Sequence, residues 1–403
     1  MTASEGTKPL AGLRVLELAR VLAGPWAGQT LADLGAHVIK VERPEGGDET
    51  RTWGPPFVTG STGETSAAYF HATNRGKKSV AIDFETPAGR DVVLALAKDA
   101  DVIIENFKVG GLAKYGLDYA AIKAINPGVI YCSITGFGQN GPYAPRAGYD
   151  FIVQGMGGIM DLTGAPDGEP QKIGVAFADI FAGVYATVGI LAALNARSET
   201  GEGAHIDMAL LDAQVSVLAN QAMNYLVSGK APRRLGNAHP NIVPYQVFPA
   251  ADRPIIIAAG NDGQFSRACA VLGLSGLERD ERFDTNARRV ANRAALIPLI
   301  EAATAKRSSG ELLAGLEAAG VPAGPVNRID QTFADPQVVA RGLRQDLSRV
   351  DGTTVPTVRS PIVINGEPCV ASTPSPDLGE HTSDVLDLLA VGRNPWTAFS
   401  HGE

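Results

Sequence analysis

The feature that most restricts this chain is a repeated change of period in its first 135 residues, where short β-branched runs alternate with helical stretches. Strands that lie parallel need a crossover of about a dozen residues between them, and helical segments of that length supply it. The candidate strands are residues 14–18, 38–42, 78–83, 101–105 and 129–134, with helices at 24–35 and 86–98. Thr86 and Pro87 open the second helix as a cap and first-turn pair. The pattern predicts a doubly wound α/β layout. With 46 Gly and 26 Pro in 403 residues, tight turns are too frequent for an all-helical bundle.

After residue 149 the chain becomes helical and very apolar up to 201, and 204–210 then reads as a strand before a helix at 211–227. The apolar run 180–196 is interrupted by Gly183 and Gly189 and is shorter than the roughly 20 residues that cross a bilayer, so it reads as a buried helix. The polar stretch SGKAPRRLGNAHPNIVP leads into a second unit with strands at 246–248 and 254–259. A helix at 308–319, β-like residues at 356–364 and a last helix at 383–389 follow. The expected organisation is a large domain over 1–229, a small α+β domain over 230–325 and a C-terminal segment, 326–403, returning to the large one.

A net charge of −8 without a basic tract argues against a nucleic-acid partner. Cys132, Cys269 and Cys369 lack paired spacing, which supports neither a disulfide framework nor a cysteine zinc site. The N-terminal residues have neither signal-peptide nor transit-peptide character, so a cytoplasmic, reducing location is expected.

Few motifs carry chemistry. Gly136, Gly138 and Gly141 fit G-x-G-x-x-G, but Pro142 and Pro145 interrupt the backbone where a dinucleotide fingerprint needs a helix to begin. A strand-end loop is the expectation. The six histidines are isolated and no metal or hydrolase motif occurs, so metal-free chemistry is expected. Asp179 stands alone among apolar neighbours just where a helix begins. On its residues it reads either as a helix N-cap or as a carboxylate nucleophile sharpened by loss of water. Basic residues follow or enter the strands: Lys40 and Arg43, then Arg75, Lys77 and Lys78, then Lys108 and Lys114. Ligands gather at the carboxyl ends of parallel strands, which favours Arg43 and Lys108 as contacts for a phosphorylated ligand.

The segments PLAGLRVLELARVLAGPWAGQTLADLGAHVIKVERPEGGDETR, NRGKKSVAIDF, ADVIIENFKVGGLAKYGLDY, YCSITGFGQNGPYAPRAGYD, ADIFAGVYATVGILAAL and GEGAHIDMALLDA together resemble the class III CoA-transferases across nearly the whole chain. The resemblance implies a Rossmann-like large domain, a small domain, and an interlocked homodimer. It implies acyl-CoA and carboxylic acid substrates and no permanently bound cofactor. It assigns Asp179 as the nucleophile, and Val21, Ala23, Arg43, Lys77, Asn106, Phe107 and Lys114 as contacts for CoA. Tyr149 and Asp150 match a pair near the nucleophile, and Gly260 and Gly263 match a glycine-rich loop that covers the thioester intermediate in relatives. Leu22 stands where the formyl-transferring branch has glutamine.

Within that family, ERPEGGDETRTWGPPFV and RRLGNAHPNIVPYQVF look most like the branch that transfers CoA from succinyl-CoA to a dicarboxylic acid such as glutarate, itaconate or mesaconate. A distal carboxylate calls for a cation, preferably the planar fork of an arginine. Arg20, Arg51, Arg146, Arg234 and His239 are the candidates. The alternative is an α-methylacyl-CoA racemase or epimerase, whose relatives carry a histidine where this chain has Tyr149. A CoA-binding protein without catalysis and a nucleotide-dependent oxidoreductase are more distant readings of the same layout.

Overall fold

The computed structural model describes residues 8–60 and 63–399. Six strands form one sheet: β1 (Arg14–Glu17), β2 (His37–Glu42), β3 (Lys77–Ala81), β4 (Val102–Glu105), β5 (Ile130–Thr135) and β6 (Ala204–Ala209). Their order across the sheet is β3-β2-β1-β4-β5-β6, and every neighbouring pair is parallel. The strands read as near-continuous apolar runs because both faces are covered. On one face, helices α1 (Ala23–Asp33) and α5 (Phe177–Thr200) pack over Val15, Val38, Ile104 and Cys132. On the other, α2 (Pro87–Lys98) and α3 (Tyr119–Ile125) cover Leu16, Ile39, Ile103 and Tyr131, together with Val385 and Trp396 from the C-terminal stretch.

Thr86 caps α2 by accepting a hydrogen bond from the Gly89 N–H at 3.1 Å, with Pro87 in the first turn. Two shorter helices, α4 (Asp150–Met156) and α6 (Leu210–Ser216), flank α5. The single helix expected at 211–227 is instead broken after Ser216 and resumes at Ala219, whose left-handed backbone (φ +48°) an uninterrupted helix cannot contain. Gly136, Gly138 and Gly141 lie in a strand-end loop, and the next helix begins only at Asp150.

The chain divides into two compact units. Among the described residues, one comprises 8–60, 63–159, 173–223 and 336–399 and contains the six-stranded sheet. The other comprises residues 160–172 and 224–335. It holds a three-stranded antiparallel sheet of Tyr245–Phe248, Ile255–Ala258 and Ala323–Pro325, packed under helices through Phe265, Phe283, Leu296, Ile300, Leu312 and Leu316.

Candidate active site

Strand order locates the site. The order reverses between β1 and β4, and in such sheets the crevice opens at the carboxyl ends of the two strands that flank the reversal. Two adjoining cavities lie there. The larger, about 660 Å³, is lined by residues following β1, β2 and β3, among them Arg20, Arg43, Asp83 and Phe84. The smaller, about 230 Å³, is lined by Val21, Leu22 and Ala23 after β1, Asn106 to Val109 after β4, Ala144 and Arg146 to Asp150 after β5, and Asp179. Arg20 and Phe107 border both. The arginine lies over the phenylalanine ring at 5.0 Å, and its backbone exchanges two hydrogen bonds with the Asn106 amide.

Asp179 is the third residue of α5, not its N-cap, and Ala176 at the cap position offers no side chain. The capping is done from another helix. The Asp150 carboxylate, at the start of α4, accepts from the Ala178 N–H at 2.8 Å and the Asp179 N–H at 3.3 Å. Gln154, one turn on, donates to Asp150 at 2.7 Å and accepts from the Ile173 N–H, which fixes the chain entering α5. Asp179 therefore keeps its own oxygens for the cavity. Half-buried beside a second carboxylate, it has no ion-pair partner among the described residues: burial first and Asp150 second push its carboxyl up to about 7. The same pair of negative groups adds to burial in raising the Tyr69 phenol to about 12, so Tyr69 remains protonated.

A different arrangement lies below the larger cavity. Lys40 and Lys77 are fully buried and share Glu17, at 3.0 and 2.8 Å, and Lys40 also reaches Asp48 at 3.0 Å. Burial alone would lower Lys40, but Asp48 and Glu17 outweigh it and raise its pKa. Burial would likewise raise Asp48, and Lys40 with the Thr50 N–H brings it down to about 2. Lys77, held also by Pro25 and Asn74 oxygens, is brought down to about 8 by burial. Gly28 in α1 leaves room for this cluster, since a Cβ there would stand 1.8 Å from a Glu17 oxygen.

The sequence candidates thus separate. Val21, Ala23, Asn106, Phe107, Arg146, Tyr149, Asp150 and Asp179 gather round the smaller cavity, and Arg43 lines the larger. Lys114 is exposed after β4, over the Tyr115 ring at 4.5 Å, and lines neither. Lys77 is enclosed in the buried cluster. Arg51 grips Glu42 with two hydrogen bonds of 2.8 and 2.7 Å and lies over the Phe70 ring, so its fork is already occupied. Arg234 binds Asp161 at 2.7 Å within the second unit. His239, in the same unit, packs on Tyr245 and accepts from the Asn241 N–H, and burial and Arg293 keep it below its ordinary pKa. Gly260 follows a strand there and Gly263 sits in the first turn of the helix Asp262–Leu272, which Asn261 caps. Asp48, Tyr69 and Trp53, which lines the smaller cavity, escaped the sequence reading, although Asp48 and Trp53 lie inside the run that looks most like the dicarboxylate branch.

The sequence matches CoA-transferase family III over residues 10–382. The chain belongs to that family. Among its relatives, the succinate–glutarate CoA-transferase of Agrobacterium fabrum is 60% identical over 94% of this chain and 96% of its own length. The human succinyl-CoA:glutarate CoA-transferase is 42% identical over 94% of this chain and 85% of its own. The succinyl-CoA:mesaconate CoA-transferase of Haloarcula hispanica is 39% identical over 95% of this chain and 97% of its own. A crystal structure of a CaiB/BaiF family protein from Brucella suis superposes with a TM-score of 0.85 at 60% identity, covering 95% of this chain and all of that one. As a family III enzyme, the protein is a CoA-transferase acting on acyl-CoA substrates.

Proposed function

We propose that this enzyme moves CoA from succinyl-CoA to a free dicarboxylic acid of the glutarate, mesaconate or itaconate kind, through a CoA thioester formed on Asp179. The observation that carries the reading is the Asp179 carboxylate in the wall of the cavity at the sheet's switch point, its own oxygens free of any cap. The named relatives supply the substrate class.

The chemistry follows from a carboxylate facing a thioester. An Asp179 oxygen attacks the succinyl carbonyl, the carbon–sulfur bond breaks, and CoA thiolate leaves a mixed anhydride. The thiolate then attacks the aspartyl carbonyl and releases succinate, which leaves an aspartyl–CoA thioester. The acceptor carboxylate attacks that thioester, thiolate leaves again, and its attack on the acceptor carbonyl yields the new acyl-CoA and free Asp179. Acyl activation is conserved throughout. Both intermediates hydrolyse, so a site that strips water from Asp179 favours transfer, and backbone N–H groups beside it steady the oxyanion of each tetrahedral stage.

Arg43 on the larger cavity, with Asn106 and Phe107 between the two, are the assigned holders of CoA. Arg146 is assigned to the acceptor's far carboxylate. It lines the Asp179 cavity, lies over the Tyr143 ring at 4.0 Å, and among the described residues has no carboxylate partner, whereas Arg20, Arg51 and Arg234 each have one. Stacking on one face leaves the edge of the guanidinium free to donate twice to a carboxylate.

We also assign a homodimer, whose second copy would cover the exposed apolar residues Val184, Tyr185 and Val188 on α5, and a reducing, cytoplasmic setting suited to three free cysteines. The deciding experiment is mass spectrometry of the enzyme incubated with succinyl-CoA alone. A CoA adduct at Asp179 is expected, and its absence while exchange proceeds would overturn the reading. New acyl-CoA masses from a panel of mono- and dicarboxylic acids test the acceptor class, and equal use of monocarboxylates would reject it.

A further inference from the structure

Val21 lies on the wall of the Asp179 cavity with φ +69°, a left-handed backbone that is unfavourable for any L side chain and most of all for a β-branched one. It is the residue that turns the end of β1 into the start of α1. Because α1 has no side-chain cap at Leu22, the turn decides where the first N–H groups of that helix point. Such a conformation persists only where the surroundings over-determine it.

The restraint is visible. The Val21 N–H is shared between the two oxygens of Asp48, at 3.3 and 3.2 Å. Asp48 is buried and cannot swing away: its Oδ1 also takes the Thr50 N–H and hydroxyl at 3.0 and 2.8 Å, while its Oδ2 takes the Lys40 ammonium at 3.0 Å. Lys40 is in turn tied to Glu17 and to the Ala19 carbonyl, two residues before the turn. On the near side, the Asn106 amide grips Arg20 by both its N–H and its carbonyl, at 2.9 and 2.6 Å. The turn is clamped on both sides, and the clamp is charged on one of them.

We propose that Asp48, anchored by Lys40, is a positioning residue for acyl transfer, acting by holding Val21 left-handed so that the α1 N-terminus presents its amides to the Asp179 cavity. Asp48 lines the larger cavity but touches neither the cavity that contains Asp179 nor Asp179 itself; its influence on that cavity passes through the Val21 N–H. The inference rests on the reading that acyl transfer takes place in that cavity.

Glycine adopts φ near +70° without a Cβ penalty, so V21G should release the turn from its dependence on Asp48. The test is a double-mutant cycle in succinyl-CoA:glutarate exchange, measuring kcat and the KM for succinyl-CoA for wild type, D48N, V21G and the double variant. D48N is expected to lower kcat at least tenfold, about 1.4 kcal/mol of barrier, with KM changed less than threefold. In the V21G background the same substitution should cost less than threefold in kcat. An equal loss in both backgrounds, or an unchanged kcat in D48N, overturns the proposal.

If D48N does not accumulate as folded protein, D48E takes its place in the cycle. Its carboxylate arrives one methylene too far, and a threefold or greater loss of kcat confined to the Val21 background is expected. Melting temperature gives an independent check: V21G should melt above V21A, because alanine bears the left-handed penalty and glycine does not. The reverse order would reject the clamp. Mass spectrometry of wild type with succinyl-CoA separates the two levels. No adduct at Asp179 would mean that the mechanism fails, whereas a normal adduct with equal D48N losses would mean that only the positioning role fails.

Discussion

Two groups of acids, one buried and one half-buried, stand at the end of this sheet and are treated in opposite ways. Glu17 and Asp48 are each matched to an ammonium within 3.0 Å, and Asp48 stays ionised down to about 2. Asp179 and Asp150 share a site where, among the described residues, no cation is bonded to either, and Asp179 rises to about 7. In the first group the cost of losing water is offset by attraction, and the product is rigidity. In the second it is left uncompensated on one oxygen pair, and the product is a carboxylate that is a better nucleophile once ionised. The contrast shows how one fold places structural and reactive carboxylates near each other without confusing them.

The largest expected effect is on the reactive side. D179A should lower turnover by roughly a thousandfold or more and abolish the CoA adduct, read by exchange assay and mass spectrometry. The isosteric D179N separates chemistry from stability. The unfolded aspartate ionises near 4 and the folded one near 7, so the unfolded state binds fewer protons between those values and stability falls as pH rises through that window. Above pH 7, D179N should therefore be more stable than wild type by about 2 kcal/mol, allowing for the cavity beside it, with no gain below pH 4. Melting temperatures across that range check the sign.

On the structural side, G28A should be the most damaging small change. Its Cβ would lie 1.8 Å from Oε2 of Glu17, whose carboxylate two lysines hold in place, so a loss of about 3 kcal/mol is expected in denaturant unfolding. An intermediate effect belongs to D150N. Its amide oxygen can still cap α5, but the negative charge that helps to raise Asp179 is gone, so the acid limb of the pH–rate profile should move below pH 7. An unmoved limb would show that burial alone sets the value. D150A, which also loses the cap, should cost about a further 1 kcal/mol of stability. The smallest effect is R146Q, expected to raise the KM for a dicarboxylic acceptor about threefold while leaving monocarboxylates and adduct formation unchanged, because an exposed charge pair is screened by water.

Much of the sheet was legible in the sequence. Five of its six strands lie in the part where helical and β periods alternate, and the observed boundaries of all six fall within two residues of the expected ones. Local signals did this work, as with Thr86 and Pro87. What the residues could not disclose was who faces whom. Lys77 and Arg43 both look like phosphate contacts in one dimension; the fold encloses the first with Glu17 and leaves the second on a cavity. Asp179 looks like a cap because it precedes an apolar helix, but the cap comes from Asp150, 28 residues before the Ala178 whose N–H it accepts. Tyr69 carries no local signal at all, since its relation to the two aspartates exists only after folding. Family resemblance singles out Asp179 as the proposed nucleophile where periodicity leaves two readings open.

Gly136 and Gly148 press their backbones together, and a Cβ on either would come within 2.4 Å of the other's Cα. The loop between them, which carries Tyr143 and Arg146, is consequently pinched shut at its base like the neck of a purse. Length and side chains in its outer part can drift over evolutionary time without disturbing the residues that start α4. With Arg146 and Asp179 in the roles proposed for them, a lineage could thus exchange one acceptor acid for another by rewriting this loop alone, while the setting of Asp179 is kept.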